Sequence, residues 1–154
     1  MNLGDLITPY GVVPLLKASN KKQVLQELSA RAAELTGLDE RDIFNTLLQR
    51  ERLGSTGVGN GIAIPHGKIG SLDHIVGLFA HLEHPVDFDA IDDEPVDLIF
   101  LLLAPEGAGA DHLRALARIS RLLREPGSVA KLRASQDRAT LYSVLTEPLA
   151  SHAA

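Results

Sequence analysis

The stretch Val96-Asp-Leu-Ile-Phe-Leu-Leu-Leu103 decides the fold. It is apolar at every position but Asp97, without the in–out alternation of a strand that faces water on one side. That pattern belongs to a strand covered on both faces. Such a strand needs a layer above it and a layer below, and the flanking sequence supplies helices for both.

Upstream, residues 21–36 read as a helix. Asn20 stands at its N-cap with Gln23 at N3, Val24, Leu28, Ala32 and Leu35 recur at helical spacing, and Gly37 is a natural stop. Asp39 can cap a second helix over about 40–52, with Ile43, Phe44, Leu47 and Leu48 as its apolar stripe. Ile62 and Ile64 alternate with small residues, and His74 to Leu82 is rich in Val, Leu and Phe, so both read as strands. Val86, Phe88 and Ala90 alternate with acids, which predicts a short edge strand. After Val96–Leu103, a third helix begins near Asp111 and is broken by Pro126-Gly127. Two short helices follow over 128–134 and 138–146. The reading is an α/β fold, a single domain over 5–146 with a mixed β-sheet sandwiched between α-helices, and 147–154 as a disordered tail.

Composition narrows the function. With no cysteine, disulfides, thiolate catalysis and thiolate metal sites are excluded. The N-terminus MNLGDLITPY has neither a basic start nor a long apolar core, so no secretory signal is expected. No run approaches the ~20 apolar residues of a membrane span. A cytoplasmic location is compatible with both. The net charge of −5 argues against a nucleic-acid binder. The charge is uneven: residues 83–97 carry seven acids and no Lys or Arg, while Arg114, Arg118, Arg121, Arg124, Lys131, Arg133 and Arg138 crowd the region that follows. Such patches steer protein partners or simply solvate surface faces.

Chemistry concentrates in Gly54-Ser-Thr-Gly-Val-Gly-Asn-Gly-Ile-Ala-Ile-Pro-His-Gly-Lys68. Closely spaced glycines let a backbone approach a ligand and present N–H groups to an anion. Ile62, Ile64 and His66 are in phase, so the imidazole leaves the strand end on the isoleucine face. Neutral imidazole is a competent nucleophile and can carry a phosphoryl group, although a satisfied loop histidine is the other reading. Ile43, Leu47 and Arg50 share one helix face, which turns Arg50 toward the protein, where a guanidinium suits phosphate; completing the helix dipole is its alternative role. His112 lies in the first turn of the third helix, where a neutral imidazole is favoured and could donate to an anion; a plain surface histidine fits as well. Ser55 and Thr56 could donate to that anion or shape the turn.

Other patterns lead nowhere. Gly57-x-Gly59-x-Gly61 is followed by a strand, not by the helix a dinucleotide site requires. Gly67-Lys68 lacks the rest of a nucleotide P-loop. His81-Leu-Glu-His84 precedes Pro85 at a strand end and is a poor metal set, and Asp87, Asp89, Asp92 and Asp93 lack calcium-loop spacing. No metal or cofactor is expected.

The segment from Arg50 to Lys68, continued by Phe88-Asp-Ala-Ile-Asp, Pro95-Val-Asp-Leu-Ile-Phe and the segment ending in His112-Leu, resembles the EIIA proteins of the bacterial phosphoenolpyruvate phosphotransferase system. The likeness is to the fructose/mannitol superfamily, most of all its nitrogen-regulatory branch, EIIA-Ntr, and covers about 5–146. The resemblance implies that His66 receives the phosphoryl group as a tele-phosphohistidine. It implies Arg50 and His112 as the other active-site residues, and the sequence departs from the family at none of the three. Loop groups around Ser55, Thr56, Gly57 and Gly59 would join them in holding the phosphoryl oxygens. The implied donor is a histidine phosphocarrier protein (NPr, or HPr-like), and the implied targets are potassium-transport regulators or sensor kinases. The absence of a fused permease domain leads us to expect a free-standing regulator. The alternative is a sugar-specific EIIA that passes phosphate to the EIIB domain of a fructose/mannitol-type permease.

Overall fold

Val96–Ala104 is the central strand of the protein in a computed structural model that describes residues 2–147. All of the expected tail except Glu147 lies outside the described residues. In chain order the elements are β1 (Val12–Leu16), α1 (Lys21–Thr36), α2 (Glu40–Leu53), β2 (Gly57–Gly59), β3 (Ile62–Ala63), β4 (His66–Lys68), β5 (Val76–Val86), β6 (Val96–Ala104), α3 (Ala110–Leu123), α4 (Pro126–Arg133) and α5 (Arg138–Leu145), with two short 3-10 turns before β1. The sheet runs β1-β5-β6-β3-β2, and β4 also lies against β6. β5 is antiparallel to β6, while β3 and β4 are parallel to it, in register Ile62↔Leu98 and His66↔Leu102. The sheet is therefore mixed and sandwiched between helices.

The two faces of β6 explain the layering. Ile99, Leu101 and Leu103 pack with Leu25 and Leu28 of α1 and Ile43 and Leu47 of α2. Leu98, Phe100 and Leu102 pack with Ile119 and Leu122 of α3, Leu132 of α4 and Leu141 of α5. None of these β6 side chains is more than 1% exposed. At about 1.5–3 kcal/mol per buried side chain, the strand is a major source of stability, and truncating Phe100 to Ala would cost about 3–5 kcal/mol. Gly77 on β5 makes room for that ring: a Cβ there would meet Phe100 Cε1 at 2.8 Å.

Caps set the helix ends. The Asn20 side chain accepts from Gln23 N at 2.9 Å, and Gly37, at φ 76°, returns its N–H to Ala33 O at 2.8 Å. Among the described residues no helix is long and apolar enough to cross a membrane.

Two expectations need correction. The edge strand expected over Val86–Ala90 does not form: Val86 ends β5, opposite Val96, and the chain then turns. Phe88 and Ala90 are buried as the alternation implied, but Asp87 bonds the local backbone instead of leaving it to a ladder. Asp87 accepts from Asp89 N at 2.9 Å, and Asp89 takes a left-handed φ of 54°, which ends the strand. Conversely, β1 is a strand where none was expected. It contains Pro14, tolerated because β1 lies on the sheet edge.

Candidate active site

Helix α2 delivers an arginine to the end of the sheet. Asp39 caps it by accepting from Asp42 N at 3.2 Å, and Ile43 and Leu47 are fully buried against the sheet. Arg50, one turn further on the same face, is half-buried and cannot turn freely into water. Its Nη1 donates to Gly54 O at 2.8 Å and its Nε points at Nε2 of His66, 3.4 Å away. The second contact is long for a hydrogen bond and is therefore weak and easily exchanged.

His66 opens β4 just after Pro65, whose carbonyl accepts from Leu102 N at 3.0 Å and keeps the ladder with β6 continuous. His66 is in register with Leu102, which packs in the same layer as Ile62 and Ile64, in agreement with the phase of the three side chains. The next residue lets α2 come close: a Cβ on Gly67 would lie 2.6 Å from Thr46 Cγ2. The ring Nδ1 of His66 is 2.9 Å from Ile64 O. A carbonyl can only accept, so Nδ1 carries the proton. In neutral imidazole this leaves the lone pair on Nε2, the nitrogen that faces Arg50.

His112 comes from the other helical layer, at the third position of α3, and is 8% exposed. Its ring centroid lies 5.7 Å from that of His66, with the planes tilted by 54°. Among the described residues, Nδ1 of His112 is sealed from solvent without a partner. A buried lone pair is better tolerated there than a buried N–H, so the proton belongs on Nε2. Burial, then the neighbouring His66 and Lys68, hold its pKa below the ordinary 6.5 and keep it neutral at pH 7. Arg50, His66, Lys68 and His112 line one pocket with Thr46 and Leu53, and among the described residues its lining includes no Asp or Glu. A bare nucleophilic nitrogen surrounded by donors and positive charge is suited to a multiply charged oxyanion.

The side chains of the expected phosphoryl-binding loop make contacts of their own. Ser55 Oγ donates to Phe88 O at 2.5 Å and accepts from Gly57 N at 3.0 Å. The Thr56 hydroxyl and N–H both go to the Glu51 carboxylate. Gly57 and Gly59 are where the chain passes close to the acidic segment: a Cβ on Gly57 would lie 2.9 Å from that of Ala90, and one on Gly59 3.2 Å from Asp92 Oδ2. These contacts seam β2 to residues 88–92. Lys68 was passed over in the sequence, although two residues along a strand from His66 is the spacing that places it on the same face. Glu51 was also passed over, since nothing local marks it as buried. The His81-Leu-Glu-His84 set divides: His81 is buried with Nδ1 2.9 Å from Ser135 O, whereas His84 is exposed beside Glu83.

Residues 6–147 match the family described as phosphoenolpyruvate-dependent sugar phosphotransferase system, EIIA 2. The chain belongs to that family. It is an EIIA component of the phosphotransferase system, a class of phosphoryl-transfer proteins. It is 60% identical to the nitrogen regulatory protein of Bradyrhizobium diazoefficiens over 153 residues, which cover 99% of this chain and 100% of the relative. It is 44% identical to the nitrogen regulatory protein of Klebsiella oxytoca, over 83% of this chain and 80% of the relative. The crystal structure of nitrogen regulatory protein IIA-Ntr from Neisseria meningitidis superimposes with a TM-score of 0.89 at 33% identity, covering 94% of this chain and 99% of that one.

Proposed function

We propose that this EIIA component is a regulatory phosphoacceptor that takes a phosphoryl group on Nε2 of His66 from the phosphohistidine of a small phosphocarrier protein of the NPr/HPr type. One observation carries the reading: Nδ1 of His66 is tied to Ile64 O while the unprotonated Nε2 faces Arg50 Nε. The P–N bond of the donor breaks as the P–Nε2 bond forms. The donor imidazole leaves with its electron pair, and His66 keeps its Nδ1 proton throughout. Arg50 turns from Nε2 to the phosphoryl oxygens, His112 donates from Nε2, and the Lys68 charge offsets that of the dianion. The activated P–N bond of the donor makes nucleotide and metal unnecessary. Sixty per cent identity to a nitrogen regulatory protein supports a cytoplasmic regulator, whose phosphorylation state sets its contacts with partners such as potassium-transport regulators or sensor kinases.

The test is incubation with phosphoenolpyruvate, the upstream enzyme and the phosphocarrier. Intact-mass measurement should show one acid-labile phosphoryl group, absent in His66→Ala; labelling that survives in the variant rejects the assignment. A second reading, onward transfer to the EIIB domain of a sugar permease, is favoured by the sugar-system family to which the chain belongs. A sugar-uptake defect on deletion would select it over the regulatory one.

A further inference from the structure

Glu51 is a buried carboxylate that the transfer reaction above does not use. It follows Arg50 directly, and its side chain is 3% exposed. Its backbone carbonyl accepts the Gly54 N–H at 3.2 Å. Its carboxylate accepts the Thr56 N–H at 3.1 Å and the Thr56 hydroxyl, while Lys21 Nζ sits 2.6 Å from its other oxygen. One residue therefore grips the chain on both sides of Gly54. Packing does not do so: Gly54 is exposed, and no atom of the described residues lies within 4 Å of where its Cβ would be. Yet Gly54 O is the acceptor that holds Arg50 Nη1 at 2.8 Å. A guanidinium on four rotatable bonds has no fixed aim unless something holds its far end.

We propose that Glu51 is the positioning residue of this site: by clamping Thr56 and Gly54 it fixes the Gly54 carbonyl, which in turn holds the Arg50 guanidinium against Nε2 of His66. Lys21 completes the clamp. It neutralises the carboxylate and is itself held by Phe88 O at 3.2 Å and by the Phe88 ring, whose centroid is 5.0 Å away. A glutamine at 51 cannot take over. With its oxygen toward Thr56, its NH2 group meets the Lys21 ammonium; flipped, it sets donor against donor at Thr56.

The proposal rests on the phosphoacceptor reading, so its test has one arm that needs no phosphoryl transfer. In that arm, NMR follows the Arg50 Nε–Hε group of the full chain. Glu51→Gln should convert a distinct, slowly exchanging signal into that of a solvent-mobile arginine; an unchanged Arg50 signal in the folded variant overturns the proposal. In the second arm, single-turnover phosphorylation by the phosphocarrier should slow about 10- to 100-fold in Glu51→Gln, the scale expected when a catalytic group is displaced by about 1 Å. The same substitution in an Arg50→Ala background should have no further effect, because the lost function would already be absent. Equal slowing in both backgrounds makes Glu51 merely structural and overturns the proposal. If Glu51→Gln does not fold, Thr56→Val replaces it in both arms. That variant exchanges the hydroxyl for a methyl group but keeps the N–H bond to Glu51, and should shift each readout less in the same direction; no shift of the Arg50 signal again rejects the idea. Wild-type protein that accepts no phosphoryl group rejects the phosphoacceptor reading instead, and the NMR arm still decides the clamp.

Discussion

The rings of His66 and His112 stand 5.7 Å apart, one from the sheet and one from α3, with no carboxylate among the described residues lining their pocket. Burial first, and then the charge that His66 can carry, disfavours a proton on His112. The sign of the consequence follows from proton linkage. His112 has a folded pKa below the 6.5 of the unfolded chain, so as pH falls through 6.5 the unfolded state binds a proton that the folded state refuses. Stability is thus fully present above about pH 6.5, is lost as pH falls below it, and levels off once the folded site protonates. His112→Gln should flatten this part of the profile. Urea-unfolding midpoints of the two proteins at a series of pH values check it: a gap independent of pH would mean that His112 does not contribute to acid destabilisation.

Gly67 lies where α2 comes close to the strand carrying His66. Gly67→Ala would place a Cβ 2.6 Å from Thr46 Cγ2, inside any tolerated contact. Relief by moving α2 should cost about 1–3 kcal/mol and shift Arg50 away from His66, so both thermal stability and transfer rate should fall. Thr46→Ser removes the offending methyl but keeps the hydroxyl that donates to Asp42 O at 2.8 Å. The double variant should therefore regain most of the stability lost by Gly67→Ala, as calorimetry would show. Failure to regain it would place the strain elsewhere.

These contacts also show which parts of the molecule the sequence discloses. The doubly covered strand, the face carrying Arg50 and the phase of His66 were all readable, because helical and strand periodicities dictate where a side chain points. His112 was readable from its place at a helix start. The contacts of Ser55–Gly59 were not: which segment a glycine loop packs against depends on what lies opposite. Here the opposite surface is residues 88–92, more than thirty positions later. β1 was hidden by Pro14, which local rules count against a strand and only its edge position excuses.

Arg50 makes two directed contacts that lysine cannot reproduce, Nε toward His66 and Nη1 to Gly54 O. Arg50→Ala should slow single-turnover phosphorylation about 100- to 1000-fold, the usual cost of one oxyanion donor, with an unchanged far-UV spectrum. Arg50→Lys should restore little, because an ammonium retains charge without the fork. Recovery to near the wild-type rate in Arg50→Lys would show that the site needs only a positive charge at this position.

Lys68 tests the electrostatics from the other side. It is exposed, two residues along β4 from His66, and its charge is one of the causes that hold the His112 pKa down, after burial and His66. Lys68→Met removes that charge and keeps most of the side-chain bulk, so the His112 pKa should rise toward its ordinary value without reaching it, since burial remains. Titration of the His112 ring protons by NMR measures this directly. The same substitution removes a cation from the pocket proposed to receive the phosphoryl dianion, so phosphorylation should slow even as His112 becomes easier to protonate. Those opposite movements separate the charge of Lys68 from any effect on fold, which would disturb both histidines. A His112 pKa that stays put in Lys68→Met would mean that burial and His66 alone hold it down.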